Sequence, residues 1–172
     1  MRRCCTALLS VLLLLLAGCV THPDEIQPVD GFVLDRYLGT WYEIARLDHR
    51  FERGLQRVSA TYTRNEDGSV RVLNRGFSAS ADAWEEAVGK ASFVEAESRG
   101  YLKVSFFGPF YGAYVVFGLD DDYQVAYVGG PDHDYLWLLA RTPTVAPDVY
   151  EAFLATAAAK GYDTAALLKV AQ

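Results

Sequence analysis

From Gly39 to Arg141 the sequence breaks into short runs rich in β-branched and aromatic residues, spaced at roughly ten residues and closed by turn residues. The expected strands are Thr40–Asp48, Arg57–Asn65, Ser69–Phe77, Glu86–Glu95, Tyr101–Phe107, Tyr111–Leu119, Tyr123–Gly129 and Asp134–Arg141. Glu66-Asp67-Gly68, Gly108-Pro109, Asp120-Asp121-Asp122 and Gly130-Pro131-Asp132 separate several of them. Side chains alternate: Leu102, Val104 and Phe106 share one face of their run, and Lys103 and Ser105 take the other. One apolar and one wet face mark an antiparallel sheet. Joined by short turns, these runs predict an all-β fold, an eight-stranded up-and-down antiparallel barrel. Closure removes exposed strand edges, and a barrel of this size can hold one small ligand.

Beyond the last run, Pro143 stops pairing, and Pro147 opens a helix with Asp148 and Glu151 at the positive end of its dipole. Val149, Phe153 and Ala157 form one apolar stripe, to be packed on the outside of the barrel, and Gly161 ends the helix. Leu167–Val170 suits a short final strand.

The other end of the chain is of a different kind. Met1-Arg2-Arg3 is basic, and Ala7 to Ala17 is almost wholly apolar but short for a permanent membrane span. This stretch ends Leu16-Ala17-Gly18-Cys19, which resembles the lipobox of bacterial lipoproteins. The resemblance implies a signal peptide over residues 1–18, cleavage before Cys19, and acylation of the Cys19 sulfur and of its new amine. Two or more acyl chains suffice for stable anchoring. Val20, in place of an Asp, points to the outer membrane. Residues 19–29, with Pro23 and Pro28, read as the lipidated N-terminus and a tether, and residues 30–172 as the folded domain. Of the three cysteines, Cys4, Cys5 and Cys19, only the last remains after cleavage, so the domain expects no disulfide.

The net charge of −6 becomes more negative once Arg2 and Arg3 are removed, which opposes nucleic-acid binding. His22, His49 and His133 show no metal-ligand spacing, and there is no G-x-S-x-G nucleophile motif. Neither a catalytic residue, a metal nor a cofactor is expected. Asp48-His49-Arg50 and Asp132-His133-Asp134 read as solvated loop clusters.

Three regions carry a family resemblance. Gly39-Thr40-Trp41 matches the G-x-W signature of lipocalins and follows a one-turn segment, Leu34–Leu38. Leu119-Asp120-Asp121-Asp122-Tyr123 resembles the second lipocalin region, without its usual Thr. Arg141 resembles the third. Arg36-Tyr-Leu-Gly-Thr-Trp-Tyr-Glu-Ile-Ala-Arg46, Lys103-Val-Ser-Phe-Phe-Gly-Pro-Phe-Tyr-Gly112 and Gly130-Pro-Asp-His-Asp-Tyr-Leu-Trp137 are similar to the bacterial outer-membrane lipocalins. This resemblance implies an outer-membrane, periplasm-facing lipoprotein. It would bind, store or transport fatty acids or lysophospholipids for envelope maintenance. Gly39, Trp41, Asp120, Tyr123 and Arg141 would form its structural motif.

Up-and-down topology sorts the turns without the family. Trp41 begins the first strand and Arg141 ends the last, so closure brings them to one end. An indole under a guanidinium, worth roughly 0.5–2 kcal/mol, would plug that end. The turns Arg50–Gln56, Ser78–Glu85, Gly108–Phe110 and Gly130–His133 then surround the open mouth, with Phe51, Trp84, Phe106, Phe107, Phe110 and Tyr111 at or near it. Such aromatics suit a ligand portal or a self-association surface, a homodimer being one arrangement. Alternation nominates Leu102, Val104, Phe106, Tyr111, Val115, Phe117, Tyr127, Trp137 and Leu139 as ligand-binding residues, with Tyr123 and Val125 also facing inward. Glu43, if inward, needs a partner, for which Arg75 and Lys90 are the candidates. The alternatives are a structural lipoprotein whose filled barrel docks a partner, and an enzyme acting on a lipid. The lipobox makes a direct prediction: cells fed radiolabelled palmitate should label the wild-type chain and leave Cys19→Ser unlabelled and soluble. Label retained in Cys19→Ser would refute the assignment.

Overall fold

The computed structural model describes residues 20–172, so Cys19 and the segment before it lie outside the described residues. Among the described residues there are nine strands: β1 (Gly39–Leu47), β2 (Leu55–Arg64), β3 (Val70–Ser78), β4 (Ala83–Phe93), β5 (Tyr101–Phe107), β6 (Phe110–Leu119), β7 (Val125–Gly129), β8 (Leu136–Ala140) and β9 (Leu167–Lys169). A one-turn helix, α1 (Leu34–Tyr37), precedes β1, and α2 (Pro147–Ala159) follows β8. Strands β1 to β8 pair antiparallel with their sequence neighbours, and β1 also pairs with β8, which closes the barrel. The expected eight-stranded up-and-down barrel with an outer C-terminal helix is the fold observed. Strand ends differ by a few residues: β7 starts at Val125 because Tyr123, at φ +58°, still belongs to the turn.

Strand β9 pairs with Ala45–Leu47, on the edge of β1 that β2 occupies further back, over Gly39–Tyr42. The chain end therefore fills the gap where β1 and β2 diverge. Arg57 N donates to Ala171 O, and Gln172 Nε2 donates to Glu43 O and Val58 O.

Two cores result. One fills the barrel around Trp41, Tyr62, Val72, Val116 and Val128. The other lies outside it, where Val115, Leu136 and Leu138 meet Phe153 and Ala157 of α2, Tyr162 and Ile26. Val149, expected in the helix stripe, is only half-buried. Residues 20–29, expected as a tether, lie along the barrel: Ile26 is fully buried, and Val29 N donates to Val116 O at 2.9 Å.

Phe153 ties α2 to the barrel, with no exposed surface and its ring 5.1 Å from that of Tyr127. Phe153→Ala should cost about 3–5 kcal/mol in urea unfolding, the usual range for an aromatic core truncation. A cost below about 1 kcal/mol would mean the helix is dispensable to the barrel.

Candidate functional site

The barrel is sealed at one end by residues from distant parts of the chain. The Arg141 guanidinium lies 4.0 Å above the Trp41 ring and donates to the carbonyls of Thr40 (3.0 Å), Arg36 (2.8 Å), Leu38 (2.9 Å) and Tyr123 (3.2 Å). Trp41 Nε1 donates to Tyr37 O at 2.8 Å. Gly39 sits at φ +96°, and a Cβ there would stand 3.3 Å from Arg141 Nη1, so a side chain would strain both backbone and plug. Asp120 Oδ1 caps the turn by accepting from Gln124 N and Val125 N. The Tyr123 hydroxyl accepts from Val33 N at 2.9 Å, with Arg36 stacked 4.2 Å from its ring. Gly39, Trp41, Asp120, Tyr123 and Arg141 thus meet at one end.

Above this floor the barrel encloses a cavity of about 110 Å³. Near its base the hydroxyls of Tyr37, Tyr114 and Tyr62 form a chain, at 2.7 and 2.8 Å from the central Tyr114. Burial pushes all three phenols above their ordinary range. These hydroxyls satisfy one another and leave an apolar wall formed by Val70, Val72, Ala91, Leu102 and Leu139.

The upper wall is polar and buried. Glu43 is 3% exposed and Glu52, in the loop after β1, is 9% exposed; both line the cavity, as does Asn74. Arg46 Nη1 donates to Glu43 Oε1 at 2.6 Å, and its Nη2 to the carbonyls of Glu52 (2.7 Å) and Leu55 (3.3 Å). Trp137 Nε1 donates to Glu52 Oε2 at 3.1 Å. His49 Nε2 stands 3.0 Å from the same oxygen, an ion-pair contact rather than a well-directed hydrogen bond. Burial, and then the neighbouring Glu52 charge, raise the Glu43 carboxyl well above its usual range, beyond what Arg46 offsets. Glu52 goes the other way: contacts with His49, Trp137 and Arg46 outweigh its burial and hold it below the usual range. The two shifts run in opposite directions, so Glu43 is the carboxyl of the pair that keeps its proton to the higher pH.

The expected ligand-binding residues divide between the cavity and the outside of the barrel. Leu102, Val104, Phe106, Trp137 and Leu139 line the cavity. Phe106 lies over Gly89, where a Cβ would come within 2.8 Å of its ring. Val115, Phe117, Val125 and Tyr127 do not line it; they pack in the outer core near α2. The strand Phe110–Leu119 is apolar on both faces in its middle because helix and N-terminal segment cover its outside. Alternation consequently could not tell its faces apart. Tyr111 stands on the outside of the β5–β6 hairpin, with Phe107 and Phe110, the last 76% exposed. Trp84 lies on the outer wall, on β4 rather than in a loop, stacked with Arg75 at 3.9 Å.

Neither Arg75 nor Lys90 partners Glu43: Arg75 pairs with Glu86 and Lys90 with Asp67. The register of β1 against β8 shifts between Glu43 and Ala45, and this bulge brings residues three apart onto one face. His49, read as solvated, is 7% exposed, against Trp137 and Tyr135. Arg46, His49 and Glu52 were missed; the E-x-x-R spacing gave no warning without the bulge. Among the described residues no cluster of His, Cys, Asp and Glu could hold a metal ion.

Residues 30–172 match the model of the lipocalin-like domain. The chain is 54% identical over 159 residues to the outer membrane lipoprotein Blc of Vibrio cholerae, covering 92% of this chain and 93% of that protein. It is 51% identical over 152 residues to the protein of that name in Escherichia coli, at 88% and 86% coverage. Temperature-induced lipocalin-1 of Arabidopsis thaliana is 35% identical over 170 residues, at 89% and 86% coverage. Among solved structures, insecticyanin from the tobacco hornworm aligns with a TM-score of 0.70 at 18% identity, over 90% of this chain and 88% of that one, a likeness of fold.

The opposite shifts of the two glutamates have opposite signs in stability. The stability contributed by neutral Glu43 is complete below its ordinary value of 4.5 and is lost as pH rises through its raised value. That of ionised Glu52 is present above 4.5 and lost as pH falls through its depressed value. Glu43→Gln should therefore gain stability relative to wild type in urea unfolding as pH rises above 4.5. Parallel stability curves for the two proteins would show that Glu43 is not neutral in the fold.

Proposed function

The chain belongs to the lipocalin family, and from that premise we propose that it is an outer-membrane lipoprotein, anchored through Cys19 and facing the periplasm. In this reading it holds the tail of a single-chain lipid, a fatty acid or lysophospholipid, in its barrel and carries it for envelope maintenance. Lipocalins are binding proteins, and the residues here offer a ligand apolar walls rather than a nucleophile. The name outer membrane lipoprotein borne by the relatives from Vibrio cholerae and Escherichia coli supports the location.

The observation that carries this reading is the cavity itself, blind at the plugged end, apolar along its length and polar near the mouth. Its volume of about 110 Å³ lies below the roughly 300–1,000 Å³ of pockets that enclose a whole drug-sized ligand. The void as it stands accepts part of an acyl chain, and half-buried Phe106 and Trp137 are the side chains whose rotation would lengthen it. Each methylene taken in contributes about 0.8 kcal/mol.

A second reading keeps the barrel closed to ligands and gives the exposed hairpin tip, with Phe107, Phe110 and Tyr111, to a partner or a second copy of the chain. The small volume of the void favours it. Native mass spectrometry of delipidated protein with lysophospholipid separates the two. The lipid-binding reading expects one saturable adduct and a change in Trp137 fluorescence. Ala91→Phe, which fills the cavity wall, should weaken the complex about tenfold or more while circular dichroism stays unchanged. Absence of any adduct, with dimerisation abolished by Phe110→Ser in sedimentation, would leave the second reading standing instead.

A further inference from the structure

The polar wall has a property that the apolar cavity does not require. The residues lining the void include two carboxyls, Glu43 and Glu52, and the carboxamide of Asn74, but no lysine, arginine or histidine. Arg46 is not among the lining residues, and both of its terminal nitrogens are engaged, on Glu43 Oε1 and on the carbonyls of Glu52 and Leu55. On each carboxyl one oxygen receives the protein's donor: Oε1 of Glu43 from Arg46, and Oε2 of Glu52 from Trp137. The second oxygen of each accepts from no protein N–H. The groups facing this pair are Arg46 on β1, His49 in the following loop, Tyr62 on β2 and Trp137 on β8.

We propose that the Glu43–Glu52 pair is a head-group site inside the barrel, taking a single-chain amphiphile with an ammonium head group and disfavouring one that ends in a free carboxylate. This rests on the lipid-binding reading and narrows its ligand. An ammonium brings N–H donors and one positive charge to two carboxyls that, beyond their contacts with Arg46, His49 and Trp137, hydrogen-bond only each other across the void. A carboxylate brings a third acceptor group to a wall without a free cation, and a buried charge left unpaired is costly. In the empty protein, burial and the neighbouring Glu52 charge favour the protonated form of Glu43. An arriving ammonium takes the place of that proton, which leaves for solvent, and the charge on the cavity wall and its occupant is unchanged. With the tail toward the tyrosine floor and the head between β1 and the loop that follows it, the ligand lies along the barrel axis.

Three probes with one chain and different heads test this: dodecylamine, dodecanol and laurate, titrated calorimetrically into delipidated protein at neutral pH. Dodecylamine should bind roughly tenfold or more tighter than dodecanol, and laurate weakest, as hydrogen bonds to a charged partner imply. Glu52→Gln should remove the preference for the amine without loss of dodecanol binding. Repeating the amine titration in buffers of different ionisation enthalpy should reveal a proton released by wild type and none by Glu43→Gln. That measurement stands even if Glu52→Gln fails to fold. Laurate binding as tightly as dodecylamine, or an unchanged preference in folded Glu52→Gln, would overturn the head-group site while leaving lipid binding intact. Failure of all three probes to bind would overturn the lipid-binding reading and this inference with it.

Discussion

Strand β1 is hydrogen-bonded to β8 along one edge and to β2 and then β9 along the other, and the remaining architecture depends on that double pairing. A barrel has no free edge only if its first and last long strands meet. Here they meet with Trp41 fully buried beneath Arg141. The guanidinium does more than stack. Its donors reach carbonyls in α1, in the start of β1 and in the β6–β7 turn, so one side chain joins three segments far apart in sequence. A lysine could not present that planar fork. Sealing this end makes the cavity blind, and whatever enters must come past the loops at the other end.

Closure leaves the outside of the barrel to be covered, and the chain covers one side of it. Helix α2 and residues 20–29 lie against β5 to β8, burying outward-facing Val115, Leu136 and Leu138. The opposite wall, β3 and β4, keeps a wet outer face, with Arg75, Trp84 and Glu86 exposed. Inside, four aromatic rings from Tyr37, Trp41, Tyr62 and Tyr114 take up the lower part of the barrel, which is why the void is small. Stability and capacity thus compete for the same interior: each ring that packs the floor removes space a lipid tail would use.

The bulge after Glu43 is a local irregularity with a chemical consequence. A regular strand would send Glu43 and Arg46 to opposite faces. With the register shifted, both point inward, and the loop that follows folds back to add Glu52 and His49. Two acids and a guanidinium are thereby buried together, an arrangement whose desolvation cost is offset only through mutual hydrogen bonding. Val170 N donates to Ile44 O at the bulge, so the end of the chain helps to hold the strand in this shape.

The sequence by itself determined the strand count, the up-and-down order, the outer helix and the pairing of Trp41 with Arg141. The barrel features follow from period-two alternation, turn residues and the geometry of closure, and the helix from its apolar stripe at four-residue spacing between Pro147 and Gly161. It also placed Leu102, Val104, Phe106, Trp137 and Leu139 on faces that line the cavity. Only the tertiary structure decided which face of β6 and β7 looks inward, because coverage by a distant helix made both faces apolar and erased the alternation. Likewise only the structure joined Glu43 to Arg46 rather than to Arg75 or Lys90, because one extra residue in a strand reverses every side chain beyond it. The site's most informative chemistry therefore lies where the strand departs from the regularity that made the fold legible.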